Sequence, residues 1–110
     1  TTSLDCVETV GVDSCEGRFI GSYPTDQGVV AEFAYWISLS NHTEDTSRVR
    51  YAFLFADQQG AVVAASPFER AELRGAESEL FWKMTNLTVR FPNINALSSV
   101  RQVLVQITGH

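Results

Sequence analysis

Cys6 and Cys15 are the only cysteines among the 110 residues of this chain. An even pair, close together, in a small chain without metal-ligand spacing predicts a disulfide. A Zn²⁺ site is disfavoured, because CxxC spacing is missing and only His42 and His110 offer ring nitrogen. Two unpaired thiols in a reducing compartment is the other reading. The two histidines are equally poor bases for nucleophilic catalysis. A Ser-His-acid triad needs its imidazole held by an acid. His42 sits in a polar loop beside Glu44 and Asp45, and His110 is the last residue. Paired carboxylates could cleave glycosides, but Glu69 and Glu72 flank Arg70, and Glu77 and Glu79 lie in a polar turn. These read as solvated charges. Asp57 before Gln58-Gln59-Gly60 reads as a turn residue whose carboxylate accepts backbone N–H groups. Nucleophile-elbow, P-loop, GxGxxG, HExxH and EF-hand patterns are all missing. No catalytic residue, metal ligand or cofactor is assigned.

Asn41-His42-Thr43 and Asn86-Leu87-Thr88 are N-x-S/T sequons. Asn41 and Asn86 would accept glycans only in a host and compartment that glycosylates.

The aromatic residues are the better guide to function. Tyr35, Trp36, Tyr51, Phe53, Phe55, Phe81 and Trp82 exceed what one face of a sandwich needs. Trp36 and Phe81 are expected opposite their strands' core faces, forming a contact patch for a protein or a glycan. The competing reading is that both sheet faces are partly covered.

The elements that must carry these residues are strands. In Arg48 to Asp57, Val49, Tyr51, Phe53 and Phe55 fall at every second position, the period of a half-buried strand. Gly60 then turns the chain into a strand over Ala61 to Ser66. Leu4 to Val12 reads as a first strand, residues 13–17 as a turn region and Arg18 to Tyr23 as a short second strand. Pro24 to Gly28 is a turn. Val29 to Leu39 is a long third strand, with Phe33, Tyr35, Ile37 and Leu39 on one face and Ala34 and Trp36 on the other. Pro67 to Gly75 reads as extended, with a helical turn as the alternative. Glu79 to Phe91 alternates in two phases, which predicts a bulge at Thr85-Asn86. Pro92 to Asn95 is a turn and Val100 to Thr108 the last strand. The N-terminal strand is expected to pair within its own domain. Donation to a neighbour's open sheet edge is the alternative.

Seven or eight short strands in one domain, residues 1–110, predict an all-β, antiparallel, Ig-like β-sandwich, with a barrel as the alternative. No apolar run approaches the roughly 18 residues needed to span a bilayer. Thr1-Thr2-Ser3 without an initiator Met reads as a processed start, so a leader or anchoring segment would lie outside this chain. Disulfide and start together predict a secreted or periplasmic protein.

Net charge is −5, and its distribution is uneven. Residues 1–33 hold six acids against Arg18 alone, while residues 34–110 hold seven acids and seven bases. Nucleic acid, which wants clustered Lys and Arg, is not an expected partner. The acidic third reads as a solvated face.

The run Val49-x-Tyr51-x-Phe53-x-Phe55-x-Asp57-x-x-Gly60-x-Val62-Val63 resembles small extracytoplasmic Ig-like domains of the FxLYD type and the YcfL-like periplasmic lipoproteins. Leu73-Arg74-Gly75-Ala76-Glu77 leading into Leu80-Phe81-Trp82, and the Val-rich end, extend the likeness over about residues 36–107. Phe55-Ala56-Asp57 lacks the Tyr that FxLYD-type domains place before the Asp, and the cysteine-bearing third has no counterpart. The resemblance implies a non-catalytic envelope or surface role. The sequence thus predicts a protein-interaction module or a subunit of a surface or extracellular assembly, its partner another protein or copies of itself. A carbohydrate-binding module is the first alternative and a hydrolase the second.

Overall fold

A computed structural model describes residues 2–7, 12–39, 47–73 and 81–108. Its strands are β1 (Thr2–Ser3), β2 (Val12–Thr25), β3 (Gly28–Leu39), β4 (Ser47–Ala56), β5 (Val62–Ala65), β6 (Glu69–Leu73), β7 (Phe81–Phe91) and β8 (Gln102–Thr108), with a short helix α1 (Ile94–Ser98) before β8. Seven strands have four or more residues and β1 has two. They form two sheets, a β-sandwich and not a barrel. The first runs β1-β2-β3-β7. The second is centred on β4, with β8 along one edge and β5 and β6 end to end along the other.

Alternation explains the layering. Phe33, Tyr35, Ile37 and Leu39 of β3 and Tyr51, Phe53 and Phe55 of β4 are buried between the sheets. Leu87, Val89 and Phe91 of β7 and Val103 and Val105 of β8 complete the core. Two ring stacks cross it, Phe33 on Phe55 and Tyr35 on Phe53, each with centroids 4.6 Å apart. Offset stacks of this kind contribute about 0.5–1.5 kcal/mol each beyond the area they bury.

The β4–β5 turn forms as read. Asp57 Oδ1 accepts from the backbone N–H groups of Gln59 and Ala61, both at 2.9 Å. Gly60 takes a left-handed φ of 85°, open to glycine at little cost. Between β5 and β6 the edge of β4 stays satisfied, because Ser66 Oγ accepts from the Phe53 N–H at 2.9 Å. The segment after Pro67 is extended, as β6.

Four expectations need correction. Residues 13–17 are not a turn but part of the 14-residue β2. The N-terminal segment bonds along this part of β2 at Cys15 and Gly17, and Gly17 faces the Tyr35 ring. Of the expected strand Leu4 to Val12, residues 8–11 lie outside the described residues and 4–7 do not form a continuous strand. Thr2 pairs with Phe19, the Cys6 N–H donates to the Cys15 carbonyl, and the Val7 N–H then donates to the Val103 carbonyl of β8. The segment therefore passes from the first sheet to the second and pairs within its own domain. Thr85-Asn86 carries no bulge, since β3 and β7 pair in one unbroken register from Val29↔Phe91 to Leu39↔Phe81. The shifts lie instead at Val12/Ser14 and Phe19/Gly21 in β2 and opposite Phe55/Ala56 of β4. Finally, Pro92 to Asn95 opens α1 instead of a simple turn. Asn93 caps it by accepting from the Ala96 N–H at 2.8 Å.

Candidate functional site

Two surface features stand out. The first is an apolar cleft of about 360 Å³ at one end of the sandwich. Three separate segments build it. The N-terminal segment brings Leu4, β2 brings Phe19 and Ser22, and α1 with the following turn brings Ile94, Leu97, Ser98 and Val100 over Phe33. The bulge at Ile20 is what admits Ser22, since the extra residue returns Ser22 to the inward phase, opposite the buried Ala31. Ile94, at 54% exposed, forms an open lip. The lining holds two hydroxyls and no ionisable side chain. It can shelter apolar atoms, but it supplies no group for proton transfer.

The cleft depends on how Leu4 is held. The Cys6–Cys15 disulfide ties the N-terminal segment to β2, with Cα atoms 5.3 Å apart. Asp5 Oδ1 accepts from the Gly17 N–H at 3.1 Å, and Tyr35 Oη donates to the Leu4 carbonyl at 3.0 Å. Burial foremost, and then the Asp5 charge, push the Tyr35 hydroxyl well above the ordinary phenol range. It therefore serves as a fixed donor.

The second feature is the outer face of the first sheet. Trp36 is 37% exposed there. The register sets it between Glu16 of β2 and Met84 of β7. The next row along is Arg18, Ala34 and Asn86, and beyond it come Gly21, Glu32 and Thr88. Glu16, Arg18, Glu32, Asn86 and Thr88 are all exposed. The aromatic thus sits among charged and amide groups on a flat strand surface.

Phe81, the expected companion of Trp36, is not its neighbour in the ladder. It stands opposite the buried Leu39, and Trp82 stands opposite Ser38. The side chains of residues 81–85 lie outside the described set. Asn86 is exposed on β7, with Thr88 beside it on the same side, so this sequon is open to solvent. Asn41, His42, Glu77, Glu79 and His110 lie outside the described residues.

Glu72 pairs with Arg48 at 3.5 Å, with both side chains more than half exposed. Such a surface pair is worth about 0–1 kcal/mol. Among the described residues no three His, Cys, Asp or Glu side chains converge as metal ligands. Among those residues, too, no helix is long and apolar enough to cross a membrane. The cleft was not legible in advance, because its walls come from positions nearly a hundred residues apart. The capping pattern Asn93-x-x-Ala96 was the one local sign of its helical wall. The chain matches no family model, no curated protein and no solved structure.

Proposed function

We propose that this chain is a non-catalytic, extracytoplasmic interaction module, acting as a subunit of a surface or extracellular assembly. The observation that carries this reading is Trp36, an aromatic that stands 37% exposed in the middle of a sheet face. The disulfide suits an oxidising compartment, secreted or periplasmic. The resemblance of residues 49–63 to FxLYD-type and YcfL-like domains points to the same kind of role. The cleft adds apolar contact area, and its lining holds two serine hydroxyls but no ionisable side chain.

One arrangement favours a second reading as a carbohydrate-binding module. Trp36 has Glu16 beside it in the ladder and Arg18 and Asn86 in the next row, an aromatic platform with hydrogen-bonding groups at its rim. Native mass spectrometry over a concentration series, repeated with Trp36→Ala, separates the two. Oligomers that weaken in the variant support assembly. A monomer whose glycan-array signal is lost in the variant supports the carbohydrate reading and sinks the first.

A further inference from the structure

We infer that Asn86 is an N-glycosylation site whose first sugar lies over Ala34 against the Trp36 ring. The inference rests on the extracytoplasmic part of the reading above, because that is where a chain meets the transferring machinery. The acceptor pattern is Asn86-Leu87-Thr88. In β7 its two polar members project to the same side and are exposed, while Leu87 between them is buried in the core. β7 is also the last strand of its sheet, in the order β1-β2-β3-β7. The acceptor amide therefore stands in solvent on a marginal strand, and the folded chain can carry the bond.

What lies beside Asn86 is the second observation. Directly opposite it in the β3–β7 ladder is Ala34, whose methyl group leaves the surface low. Trp36 is the diagonal neighbour, one row along the same face and 37% exposed. Diagonal neighbours on one face lie about 7–8 Å apart, within reach of long and aromatic side chains. Arg18 stands across Ala34 from Asn86, and Glu32 is the diagonal neighbour on the other side, both exposed. A sugar on Asn86 Nδ2 thus has a floor at Ala34, an apolar wall in the indole and polar groups at its rim. The C–H face of a sugar ring packs on an aromatic surface, and its hydroxyls pair with guanidinium and carboxylate groups. The platform that favours the carbohydrate reading is supplied with a sugar by the chain's own sequon.

The bond forms without redox change. The Asn86 amide nitrogen attacks the anomeric carbon of a sugar carried on a lipid pyrophosphate. The N–C bond forms as the C–O bond to phosphate breaks, the lipid pyrophosphate leaves with that electron pair, and the amide gives up a proton. Once in place, the sugar covers the Trp36 face and closes it to a protein partner.

The test uses the whole chain, secreted through a eukaryotic glycosylating pathway with its disulfide formed, in an Asn41→Gln background so that one sequon is read. Peptide mapping by mass spectrometry should find Asn86 occupied. Occupancy should be lost in Asn86→Gln and in Thr88→Ala and kept in Thr88→Ser. Hydroxyl-radical footprinting should oxidise Trp36 several-fold less in the glycosylated chain than in the same chain after enzymatic removal of the glycan. An unoccupied Asn86 in the folded, secreted chain overturns the inference, and so does equal oxidation of Trp36 before and after removal. Native mass spectrometry keeps this result apart from the assembly reading. Oligomers of Asn86→Gln beside monomers of the glycosylated chain support both. A monomeric Asn86→Gln variant, with Trp36 shielded by the glycan in its parent, sinks assembly alone and supports the glycan site.

Discussion

The Tyr35 ring occupies the space that a side chain at position 17 would need, so Gly17 and Tyr35 are fitted to each other across the β2–β3 ladder. The same ring stacks on Phe53 of the opposite sheet, and its hydroxyl holds the Leu4 carbonyl. One side chain thus joins β2, the core and the N-terminal segment. Gly17→Ala must displace it. The expected cost is at least the roughly 1–3 kcal/mol of an overpacked core. Gly21→Ala is the control, because nothing stands within 4 Å of its Cβ position. It should stay within about 0.5 kcal/mol of wild type. Urea melts of the two variants give the comparison, and equal stabilities would refute the fit.

Tyr35 also sets an alkaline limit. Its folded-state hydroxyl holds its proton well above the ordinary range. An unfolded tyrosine titrates near about pH 10. The group's contribution to stability is therefore complete below about pH 10 and lost as pH rises beyond it, since the unfolded chain then gives up the proton more readily. Tyr35→Phe should cost about 1 kcal/mol at neutral pH, through the lost bond to Leu4, and should decline less steeply in alkali. Melting temperatures of both proteins from neutral pH into the alkaline range test this. Parallel curves would assign the decline to other groups.

The strands that bury one face were legible because alternation needs no knowledge of neighbours. β3 and β4 show this, and so does the Asp57 turn, whose chemistry is local. The misreadings have one cause, that the deciding partner is distant in sequence. Gly17 looks like a turn residue until the Tyr35 ring is placed over it. The switch of apolar phase in β7 looks like a bulge, but the ladder with β3 is unbroken. In that ladder Trp82 and Met84 stand opposite Ser38 and Trp36 of β3. Trp36 was identified from its phase within β3 alone. Its pairing with Phe81 failed because phase within a strand does not fix the register between strands. Alternation puts Arg50 on the side of β4 away from Tyr51 and Phe53, but the Arg70 that faces it comes from a segment for which the sequence also allows a helical turn.

The disulfide and the N-terminal segment should stabilise the fold together. Cys6 and Cys15 are nine residues apart, so the closed loop is short. Replacing both by Ser should cost about 2–3 kcal/mol in the chain-entropy model. Hydrogen exchange gives the sharper readout. The Leu4 and Cys6 amides, bonded to Gly17 and Cys15, should lose protection first, and the Val7 amide on β8 with them. Protection unchanged at Leu4 and Cys6 would mean that the ladder, and not the crosslink, holds the segment.

The register of β4 predicts opposite fates for two of its residues. Phe53 is fully buried, stacked on Tyr35 and set edge-on to Tyr51 at a centroid distance of 6.0 Å. Phe53→Ala removes one half of a cross-sheet stack and leaves a void that the flanking rings cannot close. The expected loss is about 3–5 kcal/mol. Arg50 points the other way, into solvent, with only the Phe68 ring beneath it. Arg50→Ala gives up a surface cation–π contact of about 0.5–1 kcal/mol. It also removes the repulsion from Arg70, so the net change should be smaller than that contact or reversed in sign. Guanidinium melts of the two variants give the comparison. A large loss for Arg50→Ala would mean that its guanidinium supports the fold and that the register of β4 is wrong.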